Sequence, residues 1–585
     1  MVDEHTIESV LIADCGTVVT KLLLLERVEA SYRFVAQAQT LTTLNPPWGD
    51  LSTGVIHAIE ELEEVTGRTI YAGGHVLTPR EGLQGVDAFV VILSATEPLR
   101  LILAGLVREM SLESARRAAS STYTSVEAML SREGSLQSPE EAWARSVRDT
   151  APDMVLLVGG VDGGASRPIM ELADAIALGT SMLESERRPV LIYAGNAKLR
   201  SRITKLLGDI TTVEVVDNVR PTVDVEHLGP VQELLERFFI DERLLAAPGA
   251  DALAAWSGLT LQPTATAFGR VVEYLWHHED NPERGVLGVD LGAASTTVAA
   301  CFDGQLYLSV LGEHGVAYGP LAWLKNNDIV DLMRWLPEDL EEERVLSMLH
   351  NRELRPWTIP QELQDLWVEQ AVVREMLRSA VGLARTTWDP GSATQGTEPE
   401  LMPRCDPILV SGGGIVHMPR PGQALLAVLD GIQPVGISTM LLDVNRAAPA
   451  LGAVAGIKPL AAASALEMGT LTSLGTIISP VGTARLGDPV LKMKIVYEDE
   501  TVLNVEANYG DLEIWPLLPG QRATLEIRPS RRFDIGFGPG RGGKIQALGG
   551  LVGLVVDGRG RPLTLPDNAE TRQKLLRRWV WDVGG

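Results

Sequence analysis

Two passages far apart in the chain carry the same device: Ile12-Ala13-Asp14-Cys15-Gly16-Thr17-Val18-Val19-Thr20-Lys21 and Gly288-Val289-Asp290-Leu291-Gly292-Ala293-Ala294-Ser295-Thr296-Thr297. Each is an apolar strand ending in Asp, then a tight glycine turn with hydroxyls, then a second apolar strand. Singly, each reads as a β-hairpin in which Asp and Gly serve turn chemistry. As a pair they suit a polyphosphate. Gly16 and Gly292 let backbone N–H groups approach phosphate oxygens, while Thr17, Ser295 and Thr296 add hydroxyl donors. Asp14 and Asp290 would then face a magnesium ion, which keeps most of its waters and needs one or two carboxylates beside the substrate phosphates. Two such hairpins facing each other make a phosphate clamp.

A third element follows at Ile408-Leu409-Val410-Ser411-Gly412-Gly413-Gly414-Ile415-Val416, where an apolar strand runs into three glycines and then a helix expected over Gln423 to Asp430. Alone, it is a glycine-rich strand-to-helix connection. After the two hairpins, it offers bare backbone for a base or ribose. This order resembles the actin and hexokinase superfamily of nucleotide-binding proteins and, within it, the MutL accessory proteins of glutamate mutase. The resemblance runs from about residue 9 to 457, with Asn445 to Ala453 similar to the last helical connection of the two-lobed fold. It implies an α/β, two-lobed actin-like ATPase fold with ribonuclease H-like lobes, ATP and Mg2+ as cofactors, and an accessory or reactivating role toward an adenosylcobalamin-dependent mutase subunit. In that frame Asp14 and Asp290 position magnesium water, and Gly16, Thr17, Thr20, Gly292, Ser295 and Thr296 contact phosphates. Gly412, Gly413 and Gly414 pack against adenosine, and Lys21 stabilises the phosphate end or pairs with Asp14.

The sequence also departs from that pattern. The family's second motif usually reads Gly-Gly-Ala-Thr-Thr-Asp, whereas Gly292 to Thr297 has lost a glycine and ends in Thr, removing a carboxylate able to orient water or touch the metal. The expected Ser-Thr-Trp-Thr-Lys appears as Thr17-Val18-Val19-Thr20-Lys21, and Leu93 to Leu99 carries Glu97 and Pro98 in place of a small-residue turn. Binding is therefore better supported than hydrolysis, and any Mg-dependent ATPase activity is expected to be slow. Glu313 follows the second hairpin closely enough to approach the cleft, where its carboxylate could orient water for attack on a γ-phosphate. The alternative is an exposed loop. Two other functions share the motifs: a small-molecule kinase of the same fold, for which no convincing base-bearing motif is present, and a nucleotide-sensing scaffold that does not hydrolyse.

At 585 residues and 45% hydrophobic content, the chain can bury two or three cores. Its formal net charge of −25 argues against wrapping nucleic acid and for a protein partner or a small anion; a homo-oligomer is compatible. Apolar runs such as Leu101 to Val107 fall short of the ~20 residues that span a bilayer. Met1-Val2-Asp3-Glu4-His5 lacks a secretory pattern, which predicts a cytoplasmic protein. Cys15, Cys301 and Cys405 have no metal-ligand spacing, and Cys15 stands out by sitting in the first phosphate turn.

The pattern predicts a first lobe over 1–270 with an inserted α/β segment, from apolar runs at Ala88–Leu93, Met154–Val158, Val190–Tyr193 and Thr212–Val216 that are each followed by helical spacing. A second lobe is expected over 271–465, with a helical block from Leu321 to Arg385 and a loop from Thr386 to Glu400. A small C-terminal all-β domain is expected over 470–585, from runs such as Val490–Val496, Thr501–Val505, Ala523–Ile527 and Leu551–Val556. In this last segment Gly538 to Lys544 matches the glycine and lysine spacing of a phosphate loop. Ile545 takes the place of the Ser or Thr that would hold magnesium, so a glycine-rich β-turn is expected.

Overall fold

The computed structural model describes residues 7–132, 139–279, 284–388 and 401–584; the expected loop beyond Trp388 lies outside them. The chain divides into two compact units, Thr96–Ala247 and the combination of Met1–Ala95 with Pro248–Gly585.

The larger unit contains two sheets that begin on the same plan. In the first, Ser9–Cys15, Val19–Val28 and Ser31–Leu41 form an antiparallel meander. Ala88–Leu93 lies parallel beside Ser9–Cys15, and Gln262–Pro263 pairs with its far edge, giving the order 3-2-1-4-5. In the second, Gly285–Leu291, Thr296–Phe302 and Gln305–Leu311 repeat the meander. Cys405–Ser411 and Gly436–Leu442 then extend it in parallel, again as 3-2-1-4-5. This is the ribonuclease H-like plan, used twice. The two central strands are apolar and buried along nearly their whole length, as strands covered on both faces must be. The register places Asp14 opposite Lys21 and Asp290 opposite Thr297, so each aspartate sits near the carboxyl end of its central strand.

Two helices bind these sheets together. Thr264–His277 follows the last strand of the first sheet, and Ala448–Ala455 follows the fifth strand of the second. Ile12, Ile92, Phe268, Val272, Ala299 and Leu451 belong to one buried cluster, so the helices share a core with both sheets. The helices approach until Gly452 meets Ala267: a Cβ at Gly452 would overlap the Ala267 carbonyl. A Cβ at Gly288 would likewise run into Val272, so the strand also needs glycine to admit the first helix.

Residues 470–585 are rich in β-strands, which divide between two sheets. Pro489–Tyr497, Val502–Asn508, Arg522–Pro529 and Gly543–Leu548 form an antiparallel four-stranded sheet over their own core, including Leu491, Ile495 and Leu525. Thr472–Ser479, Leu554–Asp557 and Leu512–Trp515 instead extend the second lobe's sheet to eight strands, and a helix, Ala569–Asp582, closes the chain. The physical reason is the edge of Gly436–Leu442, whose unpaired backbone groups are satisfied by Thr472–Ser479. The glycine-rich run near Gly538 leads into the strand Gly543–Leu548, so no helix stands where a phosphate loop needs one.

The smaller unit is a wholly parallel sheet in the spatial order Val213–Val215, Val190–Gly195, Met154–Gly159, Leu99–Gly105, Thr124–Ser131. Helices including Arg167–Ser181 and Arg200–Leu207 pack on it around Ile102, Val155 and Tyr193. Its glycine loop after Met154–Gly159 is sewn down by Asn196, which accepts from Gly163 N at 3.0 Å and donates to the Gly164 and Ala165 carbonyls.

Candidate functional site

Both hairpins form, and their turns are braced in the same way. In the first, Gly16 N donates to Val19 O at 3.1 Å, Thr42 N donates to Val18 O, and the Thr42 hydroxyl donates to Gly16 O. In the second, Gly292 N donates to Ser295 O at 2.9 Å, and N–H groups of Val316, Ala317 and Gly315 take the carbonyls of Gly292, Ala293 and Ala294. The turn carbonyls, that of Thr17 apart, are thus occupied. Among the described residues no acceptor takes the amide N–H of Thr17, Val18, Ala293 or Ala294. A turn with satisfied carbonyls and open amides is electropositive and suited to an anion.

The predicted hydroxyls divide into two groups. Thr17 and Ser295 are partly exposed at the turns. Thr20 is wholly buried against the Thr42 hydroxyl at 3.0 Å, and the buried Thr296 hydroxyl donates to His314 O at 2.6 Å. These two brace the turns from beneath, so their hydroxyls face the protein. The glycine triad divides as well. Gly412, at φ +101°, lies against the Leu291 backbone where any Cβ would overlap it, and Gly414 packs under Val316. Gly413 alone of the three keeps partly exposed backbone, at the start of the short helix Gly413–Val416.

Asp14 and Asp290 come together. Asp14 forms an ion pair with Lys21 at 3.3 Å, and the Lys21 ammonium also donates to the Arg446 carbonyl. Burial first, then the charges of Asp14 and Asp443, push the Asp290 carboxyl up to about 7, while Lys21 and Ser411 pull against the rise. Asp443 is a member of the site that the motifs did not reveal. Wholly buried just after the strand Gly436–Leu442, it accepts from Ala447 N and Ala448 N at 2.8 Å and from the Ser411 hydroxyl at 3.0 Å. Burial raises its carboxyl too, against those hydrogen bonds and Lys21. The signal was present in Leu442-Asp443, a strand ending in Asp like the other two, though without a following glycine.

Glu313 is exposed in the loop after Gln305–Leu311. Its neighbour His314 turns inward, with Nε2 3.0 Å from the Ser379 hydroxyl, and burial lowers its pKa. Cys15 is buried, and its thiol is pushed up to about 12 by burial and then by Asp14, which opposes thiolate chemistry at the turn. Among the described residues no three or more His, Cys, Asp or Glu side chains form a metal-ligating group. The donor set nevertheless fits magnesium. Asp14 and Asp290 are hard oxygen ligands, the charge crowding that raises Asp290 is what a divalent cation relieves, and the rest of the ion's shell would come from phosphate and water.

Two ribonuclease H-like lobes, each with an aspartate-bearing hairpin directed to one locus, define an actin-like ATPase fold. Residues 10–469 match the family model described as MutL protein, and the chain belongs to that family. A curated relative, Protein MutL from Clostridium tetanomorphum, is 22% identical over 446 residues, covering 72% of this chain and 89% of the relative. Solved structures similar to the chain include a nucleotide-free acetone carboxylase, at 12% identity over 85% of this chain and 81% of that one with a TM-score of 0.33. A glycerol dehydratase reactivase is 11% identical over 77% of this chain and 99% of that one, with a TM-score of 0.30. The fold assignment stands on the doubled strand order. Among the described residues no helix is long and apolar enough to cross a membrane.

Proposed function

We propose that this chain is an ATP-binding accessory protein for an adenosylcobalamin-dependent mutase, and that closure of its lobes on Mg-ATP changes its grip on that partner. The observation that carries the reading is the convergence of Asp14 and Asp290, from separate lobes, beside Lys21 and between turns with open amides. Membership of the MutL family supports the accessory role. Asp14 and Asp290 are the residues that would hold magnesium, which supplies charge neutralisation at the phosphates when bound. Amides of Thr17, Val18, Ala293 and Ala294 with the Thr17 and Ser295 hydroxyls would receive phosphate oxygens, and Gly413 the adenosine. Lys21 holds Asp14 and the Arg446 carbonyl in place. Ligand favours the closed arrangement only to the extent that it binds that arrangement more tightly.

Calorimetry of ATP with and without magnesium tests this. Asp14→Ala and Asp290→Ala are each expected to weaken magnesium-dependent binding at least about tenfold, about 1.4 kcal/mol. An unchanged magnesium-dependent affinity removes that residue from the site. Turnover is expected to be slow, at or below about 1 s⁻¹. Thr297 presents no carboxylate opposite Asp290, and Glu313 stands exposed in its loop. Steady-state phosphate release well above that rate without a partner would show that another group positions the water.

A further inference from the structure

A cavity of about 390 Å³ opens in the second lobe, away from the hairpin turns, and its volume lies inside the ~300–1,000 Å³ range of small-molecule sites. One wall comes from Ile329–Met333, the residues after it and the long helix Leu363–Arg385. The other is the segment Leu563 to Asp567, beyond the residues matched by the family model.

Its lining is charged with both signs. Glu375, almost wholly buried, accepts from the Trp335 indole N–H at 2.5 Å and from Arg378 Nε at 3.2 Å. Burial raises its carboxyl above the usual range, and Arg378 opposes the rise more strongly than Asp331 adds to it. Arg334 spends Nη2 on the Leu565 carbonyl at 3.1 Å and the exposed Asp567 at 3.4 Å. Beyond these bonds, the remaining nitrogens of Arg334 and Arg378 find no acceptor among the described residues, and the half-buried Asp331 carboxylate finds no donor. The cavity therefore offers open guanidinium donors together with an open carboxylate backed by a second, buried one.

From this arrangement we propose that the cavity is a binding site for a small zwitterion of the α-amino-acid class. Its ammonium group pairs with Asp331 beside Glu375, and its carboxylate pairs with Arg334 and Arg378. A ligand with a single charge leaves one set unmatched, and an unmatched group desolvated by the ligand opposes binding. The aliphatic part of the ligand would lie along Leu563 and Leu565 and the Trp335 ring.

The test is calorimetry on the full chain with a panel of α-amino acids, with propionate and propylamine as single-charge probes. At least one amino acid is expected to bind with a Kd at least about tenfold below that of either single-charge probe. Binding of a single-charge probe as tight as that of every amino acid, or no amino-acid binding at millimolar concentration, overturns the proposal. Asp331→Asn is expected to weaken the amino acid at least about tenfold. Asp331 has no side-chain partner to lose, so its melting temperature should match the wild type. Arg334→Gln is a second variant on the opposite side of the cavity, with the same expectation for affinity. Wild-type affinity in either folded variant defeats the assignment. Ligand-dependent tryptophan emission that disappears in Trp335→Phe would place the bound molecule at this wall, and an emission change that persists there would place it elsewhere.

Discussion

Asp290 is the residue on which the site's electrostatics turn, because its carboxyl is raised from 3.8 to about 7 by burial and by two neighbouring aspartates. A carboxyl raised in the folded state holds its proton there while the unfolded chain has lost it. Between about pH 4 and 7 the native state therefore binds more protons, and this group's contribution to stability falls as pH rises through that window. Asp290→Asn removes the penalty. In the absence of ligand, the variant is expected to be more stable than wild type at pH 8 by roughly 2–4 kcal/mol, with the difference shrinking toward pH 5. Denaturant titrations at both pH values decide it; equal stability at pH 8 would mean that Asp290 carries its charge in the fold without penalty and that its carboxyl is not raised. Asp14 and Asp290 were legible in the sequence because an apolar run, Asp and a nearby glycine mark a strand that must stop and turn. Asp443 carries no following glycine, and its partners Ser411, Ala447 and Ala448 are set by tertiary packing that no local pattern displays.

At the scale of elements, glycine gave both the truest signals and the most ambiguous. Gly412 to Gly414 read as backbone laid open to a ligand, and of the three only Gly413 keeps partly exposed backbone. Gly412 is needed for contact with Leu291, and Gly414 for contact with Val316. A glycine that admits a ligand and one that admits a neighbouring strand look alike in a sequence. Gly452 is of the second kind, and it carries the crossing of Thr264–His277 and Ala448–Ala455 on which the shared core depends. Gly452→Ala would press a methyl group into the Ala267 carbonyl, with helix backbone on both sides and no flexible side chain to yield. The expected destabilisation is about 3 kcal/mol, the upper part of the range for overpacking. Thermal melting measures it. Undiminished stability would mean that the two helices can separate without loss and that the lobes do not rely on this crossing.

For the whole molecule, the extent of the second lobe was the least legible feature. Leu554–Asp557 is a four-residue strand with three apolar residues that would suit any sheet, and its parallel partner Thr472–Ser479 lies far back in the chain. A run of buried ion pairs ties Leu554–Asp557 to the helices Leu363–Arg385 and Pro421–Ile432. Arg374 Nε meets Asp430 at 2.7 Å, and Asp430 meets Arg559 Nη1 at 2.7 Å. Arg559 Nε meets Asp557 at 2.8 Å, and Asp557 meets Arg561 Nη2 at 2.6 Å, all in buried surroundings. Burial acts to raise the Asp557 carboxyl, but Arg559 and Arg561 overcome it and hold the group well below the usual carboxylate range. Its contribution to stability is therefore present above about pH 4 and lost as pH falls further. Arg559 is the rung between helix Pro421–Ile432 and the C-terminal strand. Arg559→Ala leaves two buried carboxylates with one partner fewer each and is expected to destabilise the protein by about 3–5 kcal/mol. Removing everything after Pro480 deletes Arg559, Arg561 and two strands of the eight-stranded sheet at once. The truncated chain is then expected to lose cooperative melting, and with it Mg-ATP binding, even though every candidate nucleotide residue is retained. A truncated chain that melts cooperatively and still binds Mg-ATP would show that the second lobe is complete without its C-terminal strands, and that the buried charges fasten on a separable domain.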